Sequence, residues 1–298
     1  TSDDCNATIK AMRELGAYIS INDNQVYIKG KGLFSLKKPK QTIDAGNSGT
    51  LIRLLTGILA VQDFDSTITG DDSLKKRPMG RIIKPLTSCG AKIKSNDYKA
   101  PLYICGSSSV NPIEYDQDVA SAQVKSCLIL SALHIAGQST FYEEIQTRDH
   151  TENLLEHLSY EINRDSNSLS LKGKQNLIAK DIFIGSDISS AAFFIVASLI
   201  VDGSCIEMRN VNINKLRTGI VTVLKGMGAD IEISDIKEVS NELLGNIKVR
   251  HSKLKCADIK GEIIPSLIDE LPILFIACAC ASGTSKISGI EELRYKES

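Results

Sequence analysis

The chain has 298 residues, 42% apolar and 24% charged. That composition supports a buried core in one large domain or two, and excludes disordered, collagen-like and coiled-coil chains. Lysine and arginine number 35 against 36 acids, a formal net charge of −1, so there is no general pull toward nucleic acid or an anionic membrane, and any anion must bind at local basic spots.

The opening Thr1-Ser2-Asp3-Asp4 is polar and acidic and reads as no signal peptide. Down the chain, Gly16-Ala17-Tyr18-Ile19, Gly90-Ala91-Lys92-Ile93 and Gly228-Ala229-Asp230-Ile231 each close a helical pattern and open a strand, with Ser159-Tyr160-Glu161-Ile162 as a degenerate copy. Their spacing of about 70 residues marks repeated supersecondary units. Between them lie Asp65-Ser66-Thr67-Ile68, Gly137-Gln138-Ser139-Thr140-Phe141, Gly203-Ser204-Cys205-Ile206 and Gly283-Thr284-Ser285-Lys286-Ile287. At each, an apolar helix stops and a β-branched strand follows. Every unit thus reads helix, strand, helix, strand, which predicts an α/β protein of about four units, at least two per domain. A polar stretch over 172–186 places the boundary, giving domains 1–184 and 185–298. The apolar stretches 191–201 and 271–281 are core-helix length, too short to span a membrane. Eight cysteines without a C-x-x-C read as reduced and cytosolic. Cys278 and Cys280, two apart on a helix, point to different sides and make no metal site.

Five helix starts carry polar residues ahead of apolar helices. Gly46-Asn47-Ser48-Gly49-Thr50, with Arg53 one turn on, is either an anion site built from free N–H groups or an ordinary Asn/Ser cap. Lys75-Lys76-Arg77-Pro78-Met79-Gly80-Arg81 puts cations where the helix dipole disfavours them, so something anionic should compensate; Pro78 suits the first helical position. Ser121-Ala122-Gln123-Val124-Lys125-Ser126 has Ser121 as its N-cap. In Thr147-Arg148-Asp149-His150-Thr151-Glu152, Thr147 or Asp149 is the cap, and His150 reads as a structural hydrogen-bonder. Pro265-Ser266-Leu267-Ile268-Asp269-Glu270-Leu271-Pro272 places two adjacent acids at the mouth of an apolar helix, costly unless solvated or paired; either they serve the dipole or one is a general base. Ser186-Asp187-Ile188-Ser189-Ser190 repeats the pattern as an N-cap. Walker, dinucleotide, zinc-protease and nucleophile-elbow motifs are missing.

Taken in order, these motifs closely resemble the 5-enolpyruvylshikimate-3-phosphate synthase family, and the match runs on to Glu292-Leu293-Arg294-Tyr295-Lys296-Glu297-Ser298. The wording of the Lys76-Arg77-Pro78-Met79 and Ser121–Ser126 motifs resembles the bacterial subgroup called class II. The resemblance implies two similar domains of βαβαββ units, helices inside and sheets outside, with polar helix starts facing a cleft. It also implies a Lys-Ser segment before Thr1 and a further unit after Ser298, so the chain is expected to lack both ends and the second domain to be incomplete.

The implied reaction joins phosphoenolpyruvate to the 5-hydroxyl of shikimate 3-phosphate and releases phosphate, in aromatic amino acid biosynthesis. By resemblance, Arg77 and Gln123 contact phosphoenolpyruvate, with Gly49 beside it. Ser121, Ala122, Gln123 and Arg148 contact shikimate 3-phosphate, which the first domain holds. Asp269 is the base for the 5-hydroxyl, Lys296 contacts the acceptor, and Glu297 donates a proton to the methylene carbon. Glycine at 49, where resistant members carry alanine, implies a glyphosate-sensitive enzyme. No metal or organic cofactor, nucleic acid or membrane is implied, and a cytoplasmic monomer is expected. Two alternatives stand: the UDP-N-acetylglucosamine enolpyruvyl transferase, which usually has a reactive loop cysteine where this chain has only Cys89 further on, and a non-catalytic anion-binding fragment of a larger polypeptide.

Overall fold

The computed structural model describes residues 2–23, 25–107, 109–117 and 120–295. In chain order the elements are α1 (Asp3–Glu14), β1 (Tyr18–Asn22), β2 (Gln25–Lys29), β3 (Ile43–Asp44), α2 (Gly49–Leu59), β4 (Ser66–Thr69), α3 (Gly80–Ser88), β5 (Lys92–Asn96) and β6 (Lys99–Cys105). There follow β7 (Glu114–Asp116), α4 (Ala122–Ala132), β8 (Gln138–Tyr142), α5 (His150–His157), β9 (Ile162–Arg164) and β10 (Ser168–Lys172). The rest is α6 (Ile188–Ile200), β11 (Cys205–Asn212), α7 (Gly219–Gly226), β12 (Asp230–Val239), β13 (Glu242–Arg250), β14 (Asp258–Ile259), α8 (Leu271–Cys280) and β15 (Lys286–Ile287).

The repeated Gly-Ala words are helix stops. Gly16, Gly90 and Gly228 sit at φ 88°, 104° and 93°. The next N–H then reaches back to close the last turn: Ala17 to Met12 O at 2.9 Å, Ala91 to Leu86 O at 3.1 Å and Ala229 to Leu224 O at 3.0 Å. This is the Schellman arrangement, in which a left-handed residue satisfies orphan carbonyls. Ser159, the degenerate copy, takes φ 63° and Tyr160 N bonds Leu155 O at 2.9 Å. A side chain there costs roughly 1–2 kcal/mol, so the geometry outlives the glycine.

The topology repeats too. β3 runs parallel to β4, and the β5–β6 hairpin adds antiparallel to give the order β3-β4-β6-β5. β7 to β10 repeat this as β7-β8-β10-β9, again with one parallel and two antiparallel pairs. In a third copy, β11-β13-β12, Ser186 bridges Val211 in parallel where the first strand belongs. β14, α8 and β15 give a fourth parallel crossover. Each copy is thus a βαβαββ or part of one. The four-element reading from sequence missed the closing strand of each hairpin. Two of those hairpins turn at Asp97-Tyr98 and Ser240-Asn241, all four residues at positive φ, the geometry of a tight two-residue turn but without the glycine that usually signals it.

The chain forms two compact units, 1–143 with 161–176, and 144–160 with 177–298. Against the expected 1–184 and 185–298, residues 144–160 and 177–184 fall in the second unit. The polar start of α5 explains this, since its side chains bond to partners further down the chain, described below.

In the first unit α2 packs on α4 through Leu51, Ile52, Leu55 and Leu59 and through Val124, Cys127 and Leu128, all buried. A Cβ at Gly57 would lie 2.2 Å from the Cys127 carbonyl oxygen, so this close crossing needs glycine. Burial pushes the Cys127 thiol up to about 12, which marks an inert packing residue. In the second unit α6 and α7 pack on β11–β13, and α8 packs on α6, around a core that includes Ile195, Leu199, Ile220, Leu224, Ile247, Val249, Leu271 and Leu274. Each such side chain contributes about 1.5–3 kcal/mol. α6 buries this inner face only, leaving Phe193 and Phe194 exposed. Among the described residues, no helix is long and apolar enough to cross a membrane.

Candidate active site

In the first unit three of the predicted residues, Gly49, Arg77 and Gln123, gather around the first turn of α2. Asp44 accepts from Gly46 N at 2.8 Å, bending the chain, and Ser48 Oγ caps Leu51 N at 3.2 Å. That leaves Asn47 and Gly49 at the helix start. Arg77 Nη2 donates to Asn47 Oδ1 at 2.8 Å, and Asn47 Nδ2 donates to Asp71 Oδ2 at 2.6 Å. The bond from Asn47, with Leu74 N at 2.8 Å on the other oxygen, holds the Asp71 carboxyl below the usual carboxylate range. Asp71 therefore belongs to the anionic compensation the basic loop demands, and Asn47 relays it to a guanidinium only 8% exposed. Lys75 pairs with Asp72 at 3.5 Å in solvent, a contact of small worth.

Gln123 is bound to the same turn. Its carbonyl accepts from Arg53 Nη1 at 2.5 Å, and its amide donates to Thr50 Oγ1 at 2.9 Å. Gly49, Arg77 and Gln123 thus share one cluster around one helix N-terminus, a place where backbone N–H groups favour anions. Ser121 stands at the N-cap position of α4 and Ala122 is its first residue, but the Ser121 hydroxyl makes no capping bond. Lys125 is 2% exposed and pairs with Glu143 at 2.8 Å, so that cation is internal. α3 starts at Gly80, so Pro78 lies ahead of the helix rather than at its first position.

In the second unit Arg148 Nη1 donates to Asp269 Oδ2 at 2.6 Å, the side chains 18% and 29% exposed. Asp269 lies on a 3₁₀ turn, Ile268–Glu270, leading into α8. Its neighbour Glu270 is 3% exposed and accepts a short bond from Ser189 Oγ. Arg217 Nη2 bonds the same hydroxyl and lies 3.7 Å from Glu270 and 3.3 Å from Asp187, the N-cap of α6. Burial raises the Glu270 carboxyl above its ordinary range, although Ser189 and Arg217 oppose it. The two adjacent acids are therefore both paired, one near solvent and one in the interior.

Glu242 fixes the segment carrying Arg148. It accepts from His150 Nδ1 at 2.7 Å, Asn153 at 3.2 Å and Asn212 at 3.0 Å, while Asn214 bonds Asp149 at 2.7 Å. Asp149, at the N-cap position of α5, makes no backbone cap and serves this network instead. His150 is held as a structural bonder. Burial alone would raise Glu242, but these bonds and His150 overcome it and hold the carboxyl at about 2, against 4.5. A lowered pKa means stability fully present above about pH 4.5 and lost as pH falls toward 2, about 3 kcal/mol in all. Chemical denaturation should show Glu242→Gln less stable than wild type at pH 7, the gap shrinking at pH 3. A gap that does not change with pH contradicts this.

Lys296 and Glu297, the remaining predicted residues, lie outside the described residues. Sequence reasoning missed Asp71, Arg217 and Glu242. Arg217 was findable, since Lys215-Leu216-Arg217-Thr218 ahead of α7 is another polar helix start. Glu242 looks like any strand residue after a turn, and only tertiary pairing reveals it.

A family model described as EPSP synthase (3-phosphoshikimate 1-carboxyvinyltransferase) matches residues 1–298. The chain belongs to the EPSP synthase family. It is 47% identical over 300 residues to the 3-phosphoshikimate 1-carboxyvinyltransferase of Endomicrobium trichonymphae, covering 100% of this chain and 70% of the relative. The counterpart from Ruthia magnifica is 47% identical over 296 residues, covering 99% and 68%. A solved structure of EPSP synthase from Acinetobacter baumannii superposes with TM-score 0.86 at 42% identity, covering 100% of this chain and 68% of that one. Cys89 is buried at the end of α3, and burial raises its thiol, the reverse of what a reactive cysteine needs.

Proposed function

We propose that this chain carries the enolpyruvyl transfer of its family through the two residue clusters just described. The family joins phosphoenolpyruvate to shikimate 3-phosphate. The 5-hydroxyl oxygen adds to the enol carbon while the methylene carbon gains a proton. Phosphate then leaves as a methyl proton is lost, restoring the double bond. The protein must bind two polyanions and move protons, which calls for arginine forks, helix N-termini and a positioned carboxylate.

The observation that carries this reading is the Arg148–Asp269 pair at the mouth of α8. Asp269 is the base for the 5-hydroxyl. Arg148 spends one of its five N–H donors on that carboxylate, and the others serve shikimate 3-phosphate alongside Ser121, Ala122 and Gln123. Arg77 and Gln123 take phosphoenolpyruvate beside Gly49, where glyphosate competes. Lys296 contacts the acceptor and Glu297 protonates the methylene carbon. We read the enzyme as a cytoplasmic monomer, and its eight free cysteines fit a reducing compartment.

A coupled phosphate-release assay tests this. Release should require both substrates together and fall when glyphosate is added. Release from phosphoenolpyruvate alone, or none with both present, defeats the assignment.

A further inference from the structure

We infer that Glu270 is a positioning residue for this reaction: its buried carboxylate, gripped by Ser189 and Arg217, fixes the Ile268–Glu270 turn and so aims Asp269. The inference rests on the assignment of Asp269 as the base.

The position is an odd place for a charge. Leu267, Ile268 and Leu271 around it are all buried, and an apolar side chain would satisfy the packing. An unpaired carboxylate there costs several kcal/mol, so Glu270 must be bound to persist. It does not cap its own helix, α8. It reaches instead to the first turn of α6 through Ser189, and to Arg217 ahead of α7. Asp187, the cap of α6, holds the same arginine. Three helix starts are thereby tied at one node.

The local helix type links that node to the base. In a 3₁₀ turn successive residues point about 120° apart. With Glu270 pinned inward, Asp269 must point elsewhere, and it meets Arg148. A free turn would leave the base several orientations, and misplacement of about 1 Å can cost a hundredfold in rate. The node also acts electrically. Asp187 and Glu270 share the single charge of Arg217, while Arg148 balances Asp269. Among the described residues, the 3₁₀ turn Glu291–Tyr295 also packs on this turn and carries Glu291, Glu292 and Arg294.

Glu270→Ala should lower kcat about tenfold or more, with dissociation constants for shikimate 3-phosphate and phosphoenolpyruvate within about threefold. Glu270→Gln preserves shape and an acceptor but removes the charge. It should lose less in kcat than Glu270→Ala, again with both dissociation constants unchanged, a split between turnover and binding that general loss of packing would not produce. Variants that melt earlier but keep kcat would overturn the inference. If neither variant folds, Ser189→Ala carries the test, with kcat falling about threefold at unchanged affinity for shikimate 3-phosphate; an unchanged kcat overturns it. Asp269→Asn is the control. If that variant turns over normally, the base assignment has failed. If it is inactive while the Glu270 variants are normal, only the positioning role has failed.

Discussion

Asp269→Asn should reduce kcat by about 10²–10⁴-fold, the range for loss of a general base, while both substrates still bind. Asparagine nearly matches aspartate in shape and keeps an oxygen for the Arg148 Nη1 bond, which is 2.6 Å in the native chain. What it lacks is a lone pair able to accept and retain a proton. A thousandfold loss corresponds to about 4 kcal/mol in the barrier. The binding half of the prediction follows from charge. Replacing the carboxylate leaves the Arg148 guanidinium less compensated, so a phosphate or hydroxyl partner meets it at no greater cost. Calorimetry should therefore find shikimate 3-phosphate binding unchanged or tighter. A kcat within threefold of wild type would remove Asp269 from the role of base. Loss of both turnover and binding would make the Arg148–Asp269 pair structural.

The sequence revealed the helix stops because they are local chemistry. Gly16, Gly90 and Gly228 are the residues that tolerate a left-handed turn, and Ser159 was found only because the spacing pointed to it. The hairpin returns were harder, since Asp97-Tyr98 and Ser240-Asn241 turn without glycine. Domain membership was harder still. α5 belongs by sequence order to the copy built from β7 to β10, yet residues 144–160 fall in the second unit. Arg148, His150 and Asp149 bond Asp269, Glu242 and Asn214 across more than sixty residues of chain, and no composition change marks that.

The same contrast runs through the site. Polar first turns on apolar helices identified Asn47, Gln123, Asp269 and Glu270 as residues needing explanation, because such placements are costly without partners. The partners came from elsewhere. Asp71 is an ordinary loop acid until Asn47 bridges it to Arg77. Arg217 gains meaning only beside Ser189 and Glu270. A sequence shows which residues require a counterpart, while the fold decides which counterpart each receives.

Arg77→Ala should weaken phosphoenolpyruvate binding by about 10²–10³-fold and shikimate 3-phosphate binding by less than about threefold. Hydrogen bonds to charged groups are worth about 1.5–3 kcal/mol each, and a guanidinium fork on a phosphate or carboxylate makes two. The fork is already oriented before any substrate arrives. Arg77 is buried, and one of its terminal nitrogens is anchored at 2.8 Å to an amide that Asp71 holds at 2.6 Å. Little rotamer entropy is then left to lose on binding. Removing the side chain leaves the Asn47–Asp71 bond intact, so the first turn of α2 should keep its shape and the loss should fall on the ligand. Arg77→Lys separates charge from geometry. A lysine keeps the charge but has no planar fork, so its affinity should lie between wild type and alanine. Calorimetric titration of each ligand alone distinguishes the outcomes. Equal losses for the two substrates would place Arg77 outside the phosphoenolpyruvate subsite, and a lysine variant as weak as alanine would show that fork geometry, not charge, carries the contact.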